Sequence, residues 1–178
     1  MEALNMVGTQ RSPSDLLHLF RTAMRGVAAS VVIVATQTDR FRHGMTATAF
    51  TSVSFDPLSV LVCINNRGLF HSAIEASKSF SVSLLGCDDV EVSRAFGSPT
   101  ASEERFAVGS WGERHNLPYL TTAQANLFCQ SRLSVPYGTH SILVGEVIDG
   151  HCGDSQQPLL YMKGEYGLYR GLAAGTVP

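Results

Sequence analysis

The run Gly44-Met45-Thr46-Ala47-Thr48-Ala49-Phe50-Thr51-Ser52-Val53-Ser54 decides how this chain is read. It has the look of a strand, yet most of its side chains are too small to fill a core. Gly44, Ala47, Ala49 and Ser52 leave the backbone bare, while Thr46, Thr48, Thr51, Ser52 and Ser54 offer hydroxyls. Small residues inside a strand often mark a place where a ligand or another backbone comes close. Main-chain N–H groups left unpaired there can bind an anion or the polar edge of a planar ligand. The plainer reading is a surface strand rich in Ser and Thr, and the eleven residues alone do not choose between the two.

Working outward, Ser30–Thr38 precedes this run as a nearly continuous apolar stretch (Val31, Val32, Ile33, Val34), which predicts a strand buried on both faces. Asp39–Arg42 forms a polar turn, and the small-residue run returns as the second half of a hairpin until Asp56-Pro57 breaks it. Before these, Ser14 is the expected N-cap of a helix with Asp15 in its first turn. Leu16, Leu17, Phe20, Met24 and Val27 follow helical spacing, and Gly26 marks the end. After them come a strand at Leu58–Asn65, a helix at Leu69–Ser77, a strand at Ser79–Leu85, and a helix at Asp88–Phe96 capped by Asp88. Gly97–Glu104 has loop composition, and Phe106–Leu120, with Trp111, is read as irregular. Four strands close the chain, at Ala123–Val135, His140–His151, Pro158–Tyr161 and Glu165–Tyr169. Many hairpin-linked strands with few short helices predict a mainly β fold, an antiparallel barrel with flanking helices. Residues 13–170 are expected to form one domain, with 1–12 a flexible lead-in and 171–178 a tail.

Bulk properties exclude several classes. The 178 residues suffice for one domain with a real core, and 44% hydrophobic with 16% charged residues argues against disorder. A net charge of −2 gives no basic footprint for nucleic acid. No apolar run approaches the roughly 18 residues of a membrane span, and the first dozen residues lack the pattern of a secretion signal. Cys63, Cys87, Cys129 and Cys152 are widely spaced, which favours reduced thiols in a cytoplasmic protein. The six scattered histidines have no helical zinc spacing, so no metal site is expected. No Gly-x-Gly-x-x-Gly follows a strand, so a dinucleotide would be held without that motif.

An ordered set of short motifs then narrows the reading. It comprises Phe20-Arg21-x-Ala23-Met24, the Gly44–Ser54 run with Asp56-Pro57, Val60-Leu61-Val62-Cys63-Ile64-Asn65, Glu104-Arg105-Phe106 with Trp111, Gly138-Thr139-His140, Gly145-Glu146-Val147, and Pro158-Leu159-Leu160-Tyr161 with Gly164-x-Tyr166. In this order, over roughly Leu16 to Tyr166, the set resembles the short-chain flavin reductases of two-component monooxygenases, which have an FMN-binding split-barrel fold. The likeness is nearest to the reductases serving 4-hydroxyphenylacetate and halophenol monooxygenases, some of which also carry Thr before the histidine.

The resemblance implies an NAD(P)H:flavin oxidoreductase that passes reduced FMN or FAD to a partner monooxygenase, and a homodimer with flavin sites near the subunit contact. It implies that Thr46, Ala47, Thr48, Ala49 and Phe50 meet the flavin ring, with Ser52 and Val53 on the ribityl or phosphate side. Asn65 and the following turn lead into the phosphate contacts. Here the chain departs from relatives that carry serines and a threonine: it has Asn66-Arg67-Gly68-Leu69-Phe70-His71, with Arg67 the candidate anion partner and Phe70 beside it. His140 is assigned to the nicotinamide side, orienting the carboxamide or stabilising charge. Phe96 is read either as a cover over the flavin or its adenylate end or as core packing. Tyr166 is read either as a site contact or as an edge-strand residue. A flavin carrier or sensor without nicotinamide turnover is the alternative function, and a flavin enzyme acting directly on an organic substrate is a third. NADH versus NADPH and FMN versus FAD stay open.

Overall fold

The computed structural model describes residues 11–38, 41–99, 101–153 and 157–172. Helix α1 (Pro13–Arg25) is followed by strands β1 (Ala29–Ser30), β2 (Val32–Gln37), β3 (Arg42–Ala47), β4 (Phe50–Phe55) and β5 (Leu58–Asn65). Helix α2 (Leu69–Ser77), strand β6 (Ser79–Leu84), a 3-10 turn at Cys87–Asp89, and helices α3 (Val90–Gly97) and α4 (Ser102–Phe106) come next. Strands β7 (Trp111–Arg114), β8 (Leu117–Leu120), β9 (Ala125–Tyr137), β10 (His140–Cys152), β11 (Leu159–Met162) and β12 (Glu165–Leu168) complete the order.

The main sheet has seven antiparallel strands in the order β3-β2-β6-β9-β10-β5-β4. Its two edges, β3 and β4, are consecutive in the chain, and only Thr48 and Ala49 separate them. From Ala47 to Phe50 the backbone reaches at most about 11 Å. That short link forces the two edges of a seven-stranded sheet together, so the sheet curls into a barrel. Among the described residues β3 pairs only with β2, and β4 only with β5, so the barrel stays split where they diverge. This is the expected split barrel. The Gly44–Ser54 run, however, is not one hairpin strand. It is two edge strands joined by a crossover, because a run of small residues at the split bends from one edge to the other.

Two cores flank β2, which explains why Val32, Ile33, Val34 and Ala35 are all buried. Val32 and Val34 face the barrel interior with Val62, Ile64, Phe80, Val82 and Leu143. Val31, Ile33 and Ala35 face outward into a second core with Leu85, Val92, Phe96, Phe106 and Leu120, which α3, α4 and β8 contribute with the segment after β6. The other half of the barrel, β4-β5-β10-β9, has no such cover among the described residues.

Several local expectations are corrected. Ser12, not Ser14, caps α1, accepting from the Asp15 N–H at 3.2 Å. Pro13 then takes the first helical position, where an N–H would have had no partner in any case. Asp88 does not cap the next helix. The buried neighbour Asp89 accepts instead from the Gly86 N–H at 2.9 Å and the Thr122 hydroxyl at 2.7 Å. Helix α4 starts inside the segment read as loop. The stretch read as irregular is the β7–β8 hairpin, turned by His115 and Asn116 with φ of 55° and 56°. Two residues with positive φ suit the right-handed twist of a tight hairpin, but neither is the glycine that usually announces it. Of the expected Asp39–Arg42 turn, residues 39–40 lie outside the described residues; Thr38 and Phe41 close it with reciprocal main-chain hydrogen bonds of 3.0 and 3.3 Å. No described helix is long and apolar enough to cross a membrane.

Candidate functional site

The crossover at the split is where the barrel exposes backbone. Thr48 and Ala49 are exposed, and among the described residues neither of their main-chain N–H groups has a hydrogen-bond partner. The Ala49 carbonyl is occupied: it accepts from the Cys63 N–H at 3.0 Å, which pins the crossover to β5. Thr46 is half-buried, its hydroxyl donating to the Ser93 carbonyl at 2.7 Å, and Ala47 faces the barrel core. Phe50 also packs partly against that core. Ser52 and Val53 are exposed on β4. A register shift between Ser52 and Ser54 makes Val53 the extra residue of a bulge. Thr48 and Ala49 therefore form the accessible centre of the predicted ring platform.

A cavity of about 470 Å³ opens beside them, walled by Phe20, Met24 and Val27 of the α1 segment and by Tyr161 and Met162 of β11. Arg21, Arg25 and Lys163 line the same cavity. The helix is held here by two bonds to the β11–β12 turn: Lys163 N–H donates to the Arg25 carbonyl at 2.8 Å, and the Arg25 guanidinium donates to the Lys163 carbonyl at 3.1 Å. An apolar slot with two free N–H donors and a cationic rim suits a planar, mostly apolar ring that carries acceptor atoms on one edge and an anionic tail. These properties fit a flavin.

The predicted phosphate-side residues do not all meet: Asn65, Arg67 and Phe70 lie at and just beyond the C-terminal end of β5, whereas Ser52 pairs with Val60 near the strand's other end. Asn65 is exposed and its side chain accepts from the Arg67 N–H at 2.9 Å, while Asn66 bonds the Thr139 and Gly138 carbonyls at 3.1 and 3.2 Å. The Arg67 guanidinium is exposed and has no partner among the described residues. Phe70 turns away and packs partly against the barrel core. His140 pairs in register with Asn65 across β10 and β5, so the histidine and the turn share one end of the barrel. It is exposed, and its Nδ1 lies 2.9 Å from the Thr139 hydroxyl, leaving Nε2 toward solvent. The neighbouring His71 instead bonds the buried Ser141 at 3.0 Å.

Phe96 is not a cover over the site. It is 2% exposed, and its ring lies 4.9 Å from Phe106 and 5.0 Å from Trp111. The reason is Gly44, whose missing side chain admits the Phe96 ring against β3. Tyr166 sits nearer the site: its hydroxyl pairs with Ser93 at 2.9 Å and its ring lies 5.2 Å from Tyr161. The residues that sequence reasoning left unassigned are Arg21, Arg94, Arg105 and Tyr161. Arg21, Arg105 and Tyr161 fall inside resemblance motifs, but only the fold shows what they touch.

Comparison with known proteins agrees with this geometry. The family model of the flavin reductase like domain matches residues 24–169. The reductase component of an FADH2-dependent resorcinol hydroxylase from a Rhizobium species is 40% identical over 158 residues, covering 87% of this chain and 88% of that protein. An FMN reductase (NADH), RutF, from Pseudomonas syringae is 36% identical over 148 residues, covering 83% of each chain. The crystal structure of a putative flavin reductase from Haemophilus somnus superposes with a TM-score of 0.83 at 31% identity, covering 86% of this chain and 99% of that one. The chain belongs to the flavin reductase-like domain family.

Proposed function

We propose that this protein transfers hydride from NADH to a flavin and releases the reduced flavin to a separate monooxygenase. The observation that carries the reading is the pair of unpartnered N–H groups at Thr48 and Ala49, set in a small-residue crossover beside an apolar cavity. The flavin, when bound, supplies the hydride acceptor and the nicotinamide the donor, so the redox chemistry belongs to the cofactors. The chain's own residues bind, orient and exclude water. The Thr48 and Ala49 N–H groups address the acceptor edge of the ring, with Thr46, Ala47 and Phe50 setting the strand and crossover beneath. Phe20, Met24 and Tyr161 line the apolar slot. Asn65, Ser52, Val53 and the Arg67 guanidinium are assigned to the ribityl and phosphate side. His140 is assigned the orientation of the nicotinamide carboxamide.

The same reading makes the protein a homodimer. The outward side of β5, β10 and β9 carries Leu61, Cys63, Ile142 and Val144, half-buried, beside Leu133, Val135 and Tyr137, exposed by 52, 41 and 80%. His140 and Asn65 lie on this same face by register, so a second copy seated there would border the nicotinamide side. We place the protein in the cytoplasm, where Cys63, Cys87, Cys129 and Cys152 stay as free thiols. Flavin titration followed by fluorescence quenching, then NADH and NADPH oxidation with FMN and with FAD, tests the function. Flavin-dependent NADH oxidation supports it; no oxidation with either flavin overturns it.

A further inference from the structure

The ladder between β5 and β10 ends with His140 opposite Asn65. Past that rung, three further hydrogen bonds among the described residues tie the segment leading into α2 to the start of β10. The Asn66 N–H donates to the Thr139 carbonyl at 3.1 Å, and the Asn66 side-chain amide donates to the Gly138 carbonyl at 3.2 Å. The second of these is exposed, so water can take its place. The third joins His71 Nε2 to the Ser141 hydroxyl at 3.0 Å.

This third bond differs because of strand alternation. Successive side chains of β10 face opposite ways, so His140 turns outward with Asn65 while Ser141 turns inward with Ile64. Ser141 is 1% exposed, and among the described residues His71 is its one side-chain hydrogen-bond partner. A hydroxyl can donate or accept, so either tautomer of His71 makes the bond. Leaving a buried hydroxyl unpaired is costly, and the contact therefore holds where an exposed one would yield.

His71 is itself fixed. It is half-buried in the first turn of α2, between Phe70 and Ile74, both of which pack on the barrel core. Its N–H donates to the Gly68 carbonyl at 3.1 Å, which draws in the turn that carries Arg67. One residue thus braces that turn through its main chain and the start of β10 through its ring.

We propose that His71 is a positioning residue for the nicotinamide side, acting through Ser141 to hold His140 in place beside Asn65 and the Arg67 turn. The inference rests on the flavin reductase reading and on the assignment of His140 within it.

The test uses three variants of the full chain. H71F keeps an aromatic ring and removes the bond, S141A removes it from the other side, and H71Q offers an amide that can restore it. Steady-state oxidation gives KM and kcat for NADH at saturating FMN, and fluorescence quenching gives riboflavin affinity. The His140 imidazole resonance is followed by NMR, assigned by its loss in H140A. H71F and S141A are expected to raise the NADH KM about fivefold, with kcat and riboflavin affinity within about twofold and most of the loss recovered in H71Q. In an H140A background H71F should raise KM no further, because the two residues act as one unit. The His140 resonance should shift in H71F and S141A and move back in H71Q.

An unchanged KM in both variants, or an equal rise in the H140A background, overturns the positioning role while the reductase reading stands. Should H71F damage the fold, lowering kcat and riboflavin affinity together, S141A decides by the same criteria. If wild type oxidises no NADH, the reductase reading fails and the resonance decides alone: a shift in S141A keeps the brace, and an unmoved resonance overturns it.

Discussion

Arg105 donates to the Gly44 carbonyl at 2.9 Å and to the Ser98 carbonyl at 2.8 Å, so one side chain of α4 ties the start of β3 to the segment that follows α3. From the other side Gly44 is closed by Phe96: a Cβ there would meet Phe96 Cε1 at 2.6 Å. The strand that leads into the crossover is therefore clamped two residues before Thr46. Hydrogen bonds from a charged donor contribute about 1.5–3 kcal/mol each when buried. R105A is expected to lower unfolding stability by an amount in that range and to weaken flavin binding, with R105K retaining part of both. Denaturant melts beside flavin titrations check it. Stability lost with flavin affinity unchanged would show that the clamp does not position the platform.

His140 is exposed, and its one side-chain hydrogen bond among the described residues is to its neighbour Thr139, so its replacement should leave the barrel intact. H140A is expected to raise the KM for NADH about tenfold, equivalent to about 1.4 kcal/mol. The flavin dissociation constant should stay within about twofold, because the ring platform lies on other strands. Steady-state kinetics and quenching titrations separate the two. A parallel loss of flavin affinity would move His140 from the nicotinamide to the flavin.

Periodicity made an antiparallel barrel legible in the sequence and the resemblance carried by the ordered motifs made it a split one, while β5 and α2 fall where spacing put them, Leu58–Asn65 and Leu69–Ser77. What it could not convey was the crossover. Gly44 to Ser54 is uniform in composition, and only the sheet order reveals that Thr48 and Ala49 join opposite edges. Phe96 was ambiguous for a related reason: a helical aromatic is apolar whether it meets a ligand or a core, and the deciding fact is Gly44, fifty-two positions earlier in the chain. Arg94 carried no signal because a charge on a short helix face is ordinarily solvated. Its place beside Tyr166 depends on the return of β12 at the far end of the chain.

The outward face of β9 gives a direct test of the dimer. A stable interface buries about 800 Å² per partner, with apolar residues at its centre. V135E places a carboxylate at a 41% exposed position, so the monomer should fold normally. Light scattering coupled to gel filtration is expected to show a dimer for wild type and a monomer for V135E, with weaker NADH use in the variant. A V135E protein that remains dimeric puts the contact on another face.

His43 provides the pH dependence. It is half-buried on β3 opposite Thr36, and burial holds its pKa below the ordinary histidine value of 6.5, while the nearby Glu103 carboxylate pulls the other way. The neutral ring is thus favoured in the folded chain. Below about pH 6.5 the unfolded chain takes up the proton first, and stability falls wherever the unfolded state binds more protons. The contribution is present above 6.5 and is lost as pH falls from there through the lowered folded value. H43Q, which cannot titrate, should therefore lose less Tm than wild type between pH 7 and 5, carboxylate effects being common to both. E103Q removes the attraction that partly restores the charged form, so it should lose more than wild type over the same window. Calorimetric melts of the three proteins decide it: identical slopes for H43Q and wild type would show that His43 is hydrated in the fold.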